Sequence, residues 1–469
     1  MATNLDEYFA EMRNAAAREP YPSLERRDSW LAAIEGILSN HSNDFCATIT
    51  ADFGWRSPHE TRVLEILSSL EAVRFARKHL RNWMAPETRE ASRWFLTSSA
   101  RVQYQPLGVV GIIVPWNYPL YLAVAPLVAA LAAGNRVMLK PSEFSAQTGQ
   151  LLQQLLADNF PQGEVRVVPG DVEVGRGFAQ LPFDHLLFTG STEVAKEVLK
   201  AAARNLTPVT LELGGKSPAI VAEGYSIPDA AERIVFGKCL NAGQTCVAPD
   251  YALVPLKALD SFLEEAGRAA NKLYPDPVNG PDYTTIVSDR HFDRLMQWLG
   301  EAKQSGAQVL PLMAGLEPDR ASRRFPVTAI VAAPDNCACM RQEIFGPLLP
   351  IVTYDILDDA INYVNRHPRP LALYYFDHDE KNIERILKET TTGGVTINDV
   401  LFHIAQEDLP FGGVGSSGMG RYHGQEGFRT FSNARAVLHQ SPWAPARSLS
   451  PPYVGAVDKI IRYLTNRKR

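Results

Sequence analysis

Two residues stand in settings that invite covalent and proton-transfer chemistry. Cys246 closes Asn241-Ala242-Gly243-Gln244-Thr245-Cys246, a glycine-containing turn that follows an apolar helix. A thiol is nucleophilic only as thiolate, which needs exposure and an electropositive setting. Taken alone, a small buried cysteine is the commoner explanation, and Cys239 on the preceding helix keeps it. Glu212 sits in Leu211-Glu212-Leu213-Gly214-Gly215-Lys216, a lone acid between leucines. A carboxyl in an apolar pocket has its pKa raised towards neutrality, which suits a general base. Pairing with Lys216 at a strand end is an equal alternative.

Two strand ends come next. Lys140-Pro141-Ser142-Glu143 ends one apolar run with a cation and then an acid, and Phe188-Thr189-Gly190-Ser191-Thr192 ends another and opens a helix. In open α/β sheets ligands bind beyond the carboxyl ends of the strands, and a helix N-terminus favours phosphate. Glu143 could accept from ribose hydroxyls and Lys140 could donate to them; an ordinary salt bridge and an ordinary N-cap are the plainer readings. Gly413-Val414-Gly415-Ser416-Ser417-Gly418 matches GxGxxG but follows no strand and opens no clear helix, so it is rejected as a dinucleotide fingerprint.

The elements that must position these residues are legible as alternation. Residues 1 to about 80 read as helices, with Trp30, Ile34, Ile37 and Leu38 on one face, and an Arg-rich polar segment follows from 85 to 101. Short apolar strands at 109–114, 136–140, 165–168 and 185–188 then alternate with helices at 120–133, 147–156 and 192–203. Further strands at 219–221 and 251–254 and a helix at 227–240 form a second unit. The strands lack period-two polarity, the mark of parallel sheets covered by helices on both faces.

Composition narrows the class. The chain has 469 residues, 45% hydrophobic and 21% charged, a globular balance for two or three domains. A net charge of −5 excludes a basic nucleic-acid footprint. The five cysteines never form CxxC, so neither a disulfide framework nor a structural zinc site is expected, and no metal. Asp6, Glu7 and Glu11 stand where a signal peptide needs an apolar run, and the longest apolar stretch, 120–133, is too short to span a bilayer. A reducing, cytoplasmic compartment is expected. Near the end, Val457, Ile460, Ile461 and Leu464 form an apolar stripe with Arg462, Arg467, Lys468 and Arg469 close by. Docking on the protein's own surface is expected of this helix, with interfacial membrane binding the alternative.

Seven motifs occur in one order: Pro115-Trp116-Asn117-Tyr118-Pro119, the KPSE segment, FTGSTEV, LELGGKSP, NAGQTC, Glu343-Ile344-Phe345-Gly346-Pro347 and PFGGVGSSGMGRYHG. Together they resemble the aldehyde dehydrogenase superfamily from about residue 25 to 440. NDVLFH at 398–403 and Tyr422-His423-Gly424 resemble its class 3 branch and, within it, the bacterial coniferyl aldehyde dehydrogenases.

The resemblance implies an α/β fold with a Rossmann-like parallel-sheet domain for NAD or NADP (1–87 and 107–211) and a second α/β catalytic domain (212–424). It also implies a small β oligomerisation arm (88–106 and 425–445), and a tail helix (446–469) is appended. It implies that Cys246 attacks the aldehyde, that Asn117 and the Cys246 N–H hold the oxyanion, and that Glu212 activates the hydrolytic water. Glu343 would hold the nicotinamide ribose, with Phe345 and Trp116 beside it. Lys140 and Glu143 would hold the adenosine ribose, and Thr189, Gly190 and Ser191 the pyrophosphate. Ala195 replaces a frequent glycine, which questions the backbone approach there. Tyr118, Tyr121, Phe402, His403 and Phe411 are placed around the substrate entrance, although core packing is the plainer reading of each aromatic. A homodimer acting on a hydrophobic aldehyde follows. A CoA-acylating enzyme, a cofactor-free thiol esterase and a non-catalytic scaffold are the rivals.

Overall fold

The computed structural model describes residues 4–92, 95–443, 446, 450–451 and 454–466. Three sheets organise it. A six-stranded sheet runs Gly418–Met419, Val209–Glu212, His185–Thr189, Val109–Ile113, Arg136–Lys140, Val165–Val167 across its width. All its pairs are parallel except the first. The chain builds outward from Val109–Ile113 to Val165–Val167 and then returns to the other side of its first strand. That reversal leaves a crevice beyond the strand ends, the usual ligand position in such sheets.

The helix Tyr121–Ala132 is buried at every residue and tolerates Pro126, so the apolar run expected here is a core helix, not a span. No helix among the described residues is long and apolar enough to cross a membrane. Local signals place the neighbouring elements well. Thr192–Ala203 starts after Ser191, whose hydroxyl accepts from the Val194 N–H, an ordinary N-cap.

The second sheet has seven strands in the order Gln308–Pro311, Thr328–Val331, Leu348–Tyr354, Tyr251–Pro255, Pro218–Val221, Ala372–Phe376, Gly394–Ile397. It is parallel apart from its first edge. A three-stranded antiparallel arm joins Glu87–Arg89, Ser99–Pro106 and Ser432–His439.

Two expectations need correction. The segment 212–424 does not lie wholly in the second unit, because Glu212 and Met419 pair within the first sheet. The GxGxxG glycines make that return possible by close backbone approach. A Cβ on Gly413 would stand 2.0 Å from the Ser417 carbonyl oxygen, and one on Gly418 2.2 Å from that of Leu211. The tail helix Ala456–Thr465 forms, but Ile460 and Ile461 are 48% and 36% exposed while Val457 is half-buried, so the apolar stripe is only partly covered by the protein's own surface among the described residues. Periodicity decides which face is apolar, not whether a surface lies in reach. The Leu464 side chain, Arg467, Lys468 and Arg469 lie outside the described residues.

Candidate active site

The turn before Cys246 is conformationally costly. Asn241, Ala242 and Gly243 have φ of 51°, 51° and 73°, left-handed values that two non-glycine residues adopt only when held there. Glycine is required third, since a Cβ on Gly243 would meet the Gly346 carbonyl oxygen at 2.4 Å. The Gln244 side chain pins the turn by donating to the Asn241 and Thr285 carbonyls (3.0 Å each) and accepting from the Val287 N–H (2.9 Å).

This turn leaves Cys246 partly accessible while the other four cysteines are buried. Its thiol is pushed up to about 12, first by burial, then by the neighbouring Glu343 and Glu212 carboxylates. The N–H groups of Cys246 and Val247 pull the other way. The resting sulfur is therefore protonated at neutral pH, and its setting is acidic, not electropositive.

Glu212 ends its strand only 2% exposed, and neither carboxylate oxygen has a hydrogen-bond partner. Burial raises its pKa well above the carboxylate range, opposed by Arg421. The alternative pairing with Lys216 fails. Lys216 instead pairs with Asp250 and donates to the Cys339 and Gln342 carbonyls at 2.8 and 3.1 Å. Asp250 also accepts from the Ile344 N–H (2.8 Å), so this pair anchors the loop that carries Glu343. Glu343 is pushed up to about 8, mainly by burial, and its Oε1 has no partner.

Asn117 follows the strand Val109–Ile113 on the opposite wall, where its Nδ2 donates to the Gln244 carbonyl at 3.1 Å. A cavity of about 250 Å³ has Cys246, Glu212, Asn117, Glu343, Phe345 and the segment Thr189–Ser191 in its lining. Trp116 also lines it, edge-on to Phe345 (5.3 Å between ring centroids) and to His291 (5.0 Å). Ala195 is buried in its helix and does not line the cavity. Lys140 and Glu143 lie outside that lining; the buried Lys140 amine donates to the Gly170 and Pro141 carbonyls and stands 3.8 Å from Glu143.

None of the five aromatic and imidazole candidates for the substrate entrance is among the residues lining this cavity. Tyr121 bonds His423 Nε2 (3.2 Å), and Phe411 stacks on the same imidazole (5.1 Å). The Tyr118 hydroxyl meets Thr245 Oγ1 at 2.6 Å. His403 bonds Thr396 Oγ1 through Nδ1 (2.9 Å), its Nε2 lacks a partner, and burial lowers its pKa to about 4. Phe402 is 49% exposed and stands apart on Phe236. Sequence reasoning missed His291, Arg294 and His423. Arg294 lines the cavity and donates to the Ile344 carbonyl (2.8 Å), and only the Tyr422-His423-Gly424 motif hinted at the last of the three. Among the described residues no group of three or more His, Cys, Asp or Glu could hold a metal ion.

The model of the Aldehyde dehydrogenase family matches residues 2–437. A Pseudomonas aeruginosa protein named probable coniferyl aldehyde dehydrogenase is 50% identical over 457 residues, covering 97% of this chain and 95% of that one. The substrate-bound structure of Staphylococcus aureus AldH superposes with a TM-score of 0.93 at 35% identity, covering 99% of this chain and all of the other. A Mycobacterium tuberculosis aldehyde dehydrogenase complexed with NAD+ superposes with a TM-score of 0.84 at 30% identity, covering 93% and 90% of the two chains.

Proposed function

This chain belongs to the aldehyde dehydrogenase family, and we propose that it oxidises a hydrophobic aldehyde to the carboxylic acid through a thioester on Cys246. It is an NAD(P)-dependent aldehyde dehydrogenase. The observation that carries the mechanism is that Cys246, an unpartnered Glu212 and the Asn117 amide share one cavity.

The resting thiol must first lose its proton, which passes to solvent and leaves Glu212 free to act at hydrolysis. Sulfur then adds to the carbonyl carbon, and the charge that develops on oxygen is met by the Asn117 amide and the Cys246 N–H. A bound nicotinamide supplies the hydride acceptor that makes the thioester. Glu212 next takes a proton from water as that water attacks the thioester, releasing the acid and restoring the thiol. Water attack favours this reading over transfer to CoA, because a base already stands beside the acyl group. A cofactor-free esterase or a scaffold would leave Glu343 and the helix N-terminus at Ser191 without a task.

The residues present suit a dinucleotide. The partnerless Glu343 Oε1 can accept from a ribose hydroxyl, and the N-terminus after Ser191 favours pyrophosphate. Phe345 and Trp116 would pack beside the nicotinamide, Thr189 and Gly190 would approach the phosphates, and Lys140 with Glu143 would take the adenosine ribose. NAD is the favoured form, with NADP tolerated.

A coniferyl-type aromatic aldehyde is the first substrate class, supported by the name of the Pseudomonas aeruginosa relative. Medium- or long-chain aliphatic aldehydes are the second, and Tyr118, Tyr121, His403 and Phe411, which lie outside the cavity lining, would stand around the entrance for either. A homodimer forms by pairing across the arm, whose strand Ser432–His439 lies at the sheet edge. Five unpaired cysteines fit a reducing cytoplasm. An aldehyde panel followed by NADH absorbance tests the reading; no NADH from any aromatic or aliphatic aldehyde would refute it.

A further inference from the structure

Three ionisable side chains lie behind the two loops that carry Asn117 and Cys246 and have no task in the chemistry above. Arg56, Glu60 and Glu65 come from a short stretch around the helix Pro58–Thr61 and the π-helical turn Arg62–Leu67 that continues it. Such turns are rare and gather at functional sites. All three side chains are buried, Arg56 and Glu65 completely. Charges so placed are costly unless paired and bonded, so their contacts show what they hold.

Arg56 Nη1 donates to Glu65 Oε1 (2.6 Å) and to the Asn117 carbonyl (3.1 Å). Its guanidinium lies over the rings of Tyr118 (4.8 Å) and Phe53 (5.1 Å), while Nε and Nη2 have no hydrogen-bond partner. Glu65 Oε2 accepts from the N–H groups of Leu120 (2.7 Å) and Tyr121 (3.2 Å). The ion pair thus grips the loop 117–121 at both ends, the carbonyl by its cation and the amides by its anion.

Glu60 grips the other loop. Its carboxylate accepts from the Asn241 N–H (3.2 Å to each oxygen) and from the Thr284 hydroxyl (2.8 Å). Asn241 is the first left-handed residue of the nucleophile turn, and its Nδ2 donates to both the Asn117 and Gln244 carbonyls at 3.1 Å. Arg56 and Asn241 therefore meet on one acceptor, the Asn117 carbonyl, and the two loops share a single hydrogen-bonded frame.

We propose that Arg56, Glu60 and Glu65 are positioning residues that hold the Asn117 amide in register with the Cys246 turn, so that both oxyanion donors face one point. This rests on the roles given above to Asn117 and Cys246. Directional bonds in a dry interior resist displacement, and a misplacement of about 1 Å at a reacting centre can cost ~10²-fold in rate.

The test is a double-substitution cycle against Asn117→Ala. Glu65→Gln keeps the shape and removes the charge; Arg56→Lys keeps the charge and removes the fork; Glu60→Gln loosens the other loop. Each is made in the native and in the Asn117→Ala enzyme, and the first-turnover NADH burst rate, NAD affinity by tryptophan fluorescence and thermal unfolding are measured. In the native background the burst should slow by about 10- to 10²-fold. NAD affinity should hold within about twofold, and in Asn117→Ala the same substitutions should cost less than about twofold more, because the positioned donor is gone.

Equal losses in both backgrounds, or native burst rates in all three single variants, would overturn the positioning role alone. An unchanged burst in Asn117→Ala would instead remove the role given to Asn117, and this proposal with it. Should Glu65→Gln fail to fold, Arg56→Lys carries the cycle.

Discussion

A Cβ built on Gly214 would stand 1.9 Å from Glu343 Oε2, so the glycine two residues beyond Glu212 is what lets the Glu343 carboxylate lie against this strand end. The two acids therefore share one cavity because Gly214 carries no side chain to hold Glu343 away.

Gly214→Ala should push the Glu343 carboxylate aside and leave the fold in place, since the displaced atoms are the far end of a flexible side chain. The effect should be on cofactor handling: kcat/KM for NAD should fall by about 10-fold or more. Thermal unfolding should stay near native. Unchanged NAD kinetics would show that Glu343 has no role in holding the cofactor.

Cys246 and Glu212 separate by timing. Cys246→Ala should abolish the NADH burst and turnover with NAD binding retained. Glu212→Gln should still complete one hydride transfer and then stall as acyl-enzyme, with turnover lower by ~10²–10⁴ as expected for a lost general base. Mass spectrometry of the quenched variant should find the acyl group on Cys246. Neither burst nor adduct would mean that Glu212 acts first as the base for the thiol.

The acidic setting of Cys246 predicts sluggish alkylation without cofactor. Burial and two neighbouring carboxylates push the thiol up to about 12, so its rate with iodoacetamide should still be climbing at about pH 10, beyond the ordinary thiol range. Glu212→Gln removes one negative neighbour and should raise the rate at fixed pH. The other cysteines are buried and should stay silent. A plateau near neutral pH would contradict the acidic setting.

Cofactor choice turns on Glu143. A like charge near a protein surface costs on the order of 1–4 kcal/mol, so a carboxylate facing the 2′-position should favour NAD roughly tenfold or more. Glu143→Gln should narrow the gap between NAD and NADP. Lys140 already serves two carbonyls, which limits how far it can turn to a 2′-phosphate. A native preference for NADP would sink the assignment.

Glu343 also predicts how stability moves with pH. Burial raises it from 4.5 to about 8, so between those values it stays protonated in the fold and ionises in the unfolded chain. Its contribution is present below 4.5 and is lost as pH rises to about 8. The melting temperature of Glu343→Gln should therefore gain on the native protein between those two pH values. A constant gap would show that the carboxyl is not perturbed.

Local physics made much of this protein legible from its residues. The strand Arg136–Lys140 and the helix Thr192–Ala203 lie where their apolar runs and the Ser191 cap place them, because such signals act over a few residues. Cys246 and Glu212 were visible for the same reason, each an unusual residue beside glycines. What remained hidden depends on partners far along the chain. The Asn117 amide meets Gln244 across 127 positions, Lys216 takes Asp250 instead of Glu212, and Gly418–Met419 returns to the first sheet. The Arg56, Glu60 and Glu65 frame gives no periodic signal, since burying a charge is worthwhile only once its acceptor is in place. The sequence by itself determined the fold class and the reactive residue types. Only the tertiary structure decided which of them share a cavity, because desolvation and hydrogen bonding between distant segments exist only after the chain has closed around them.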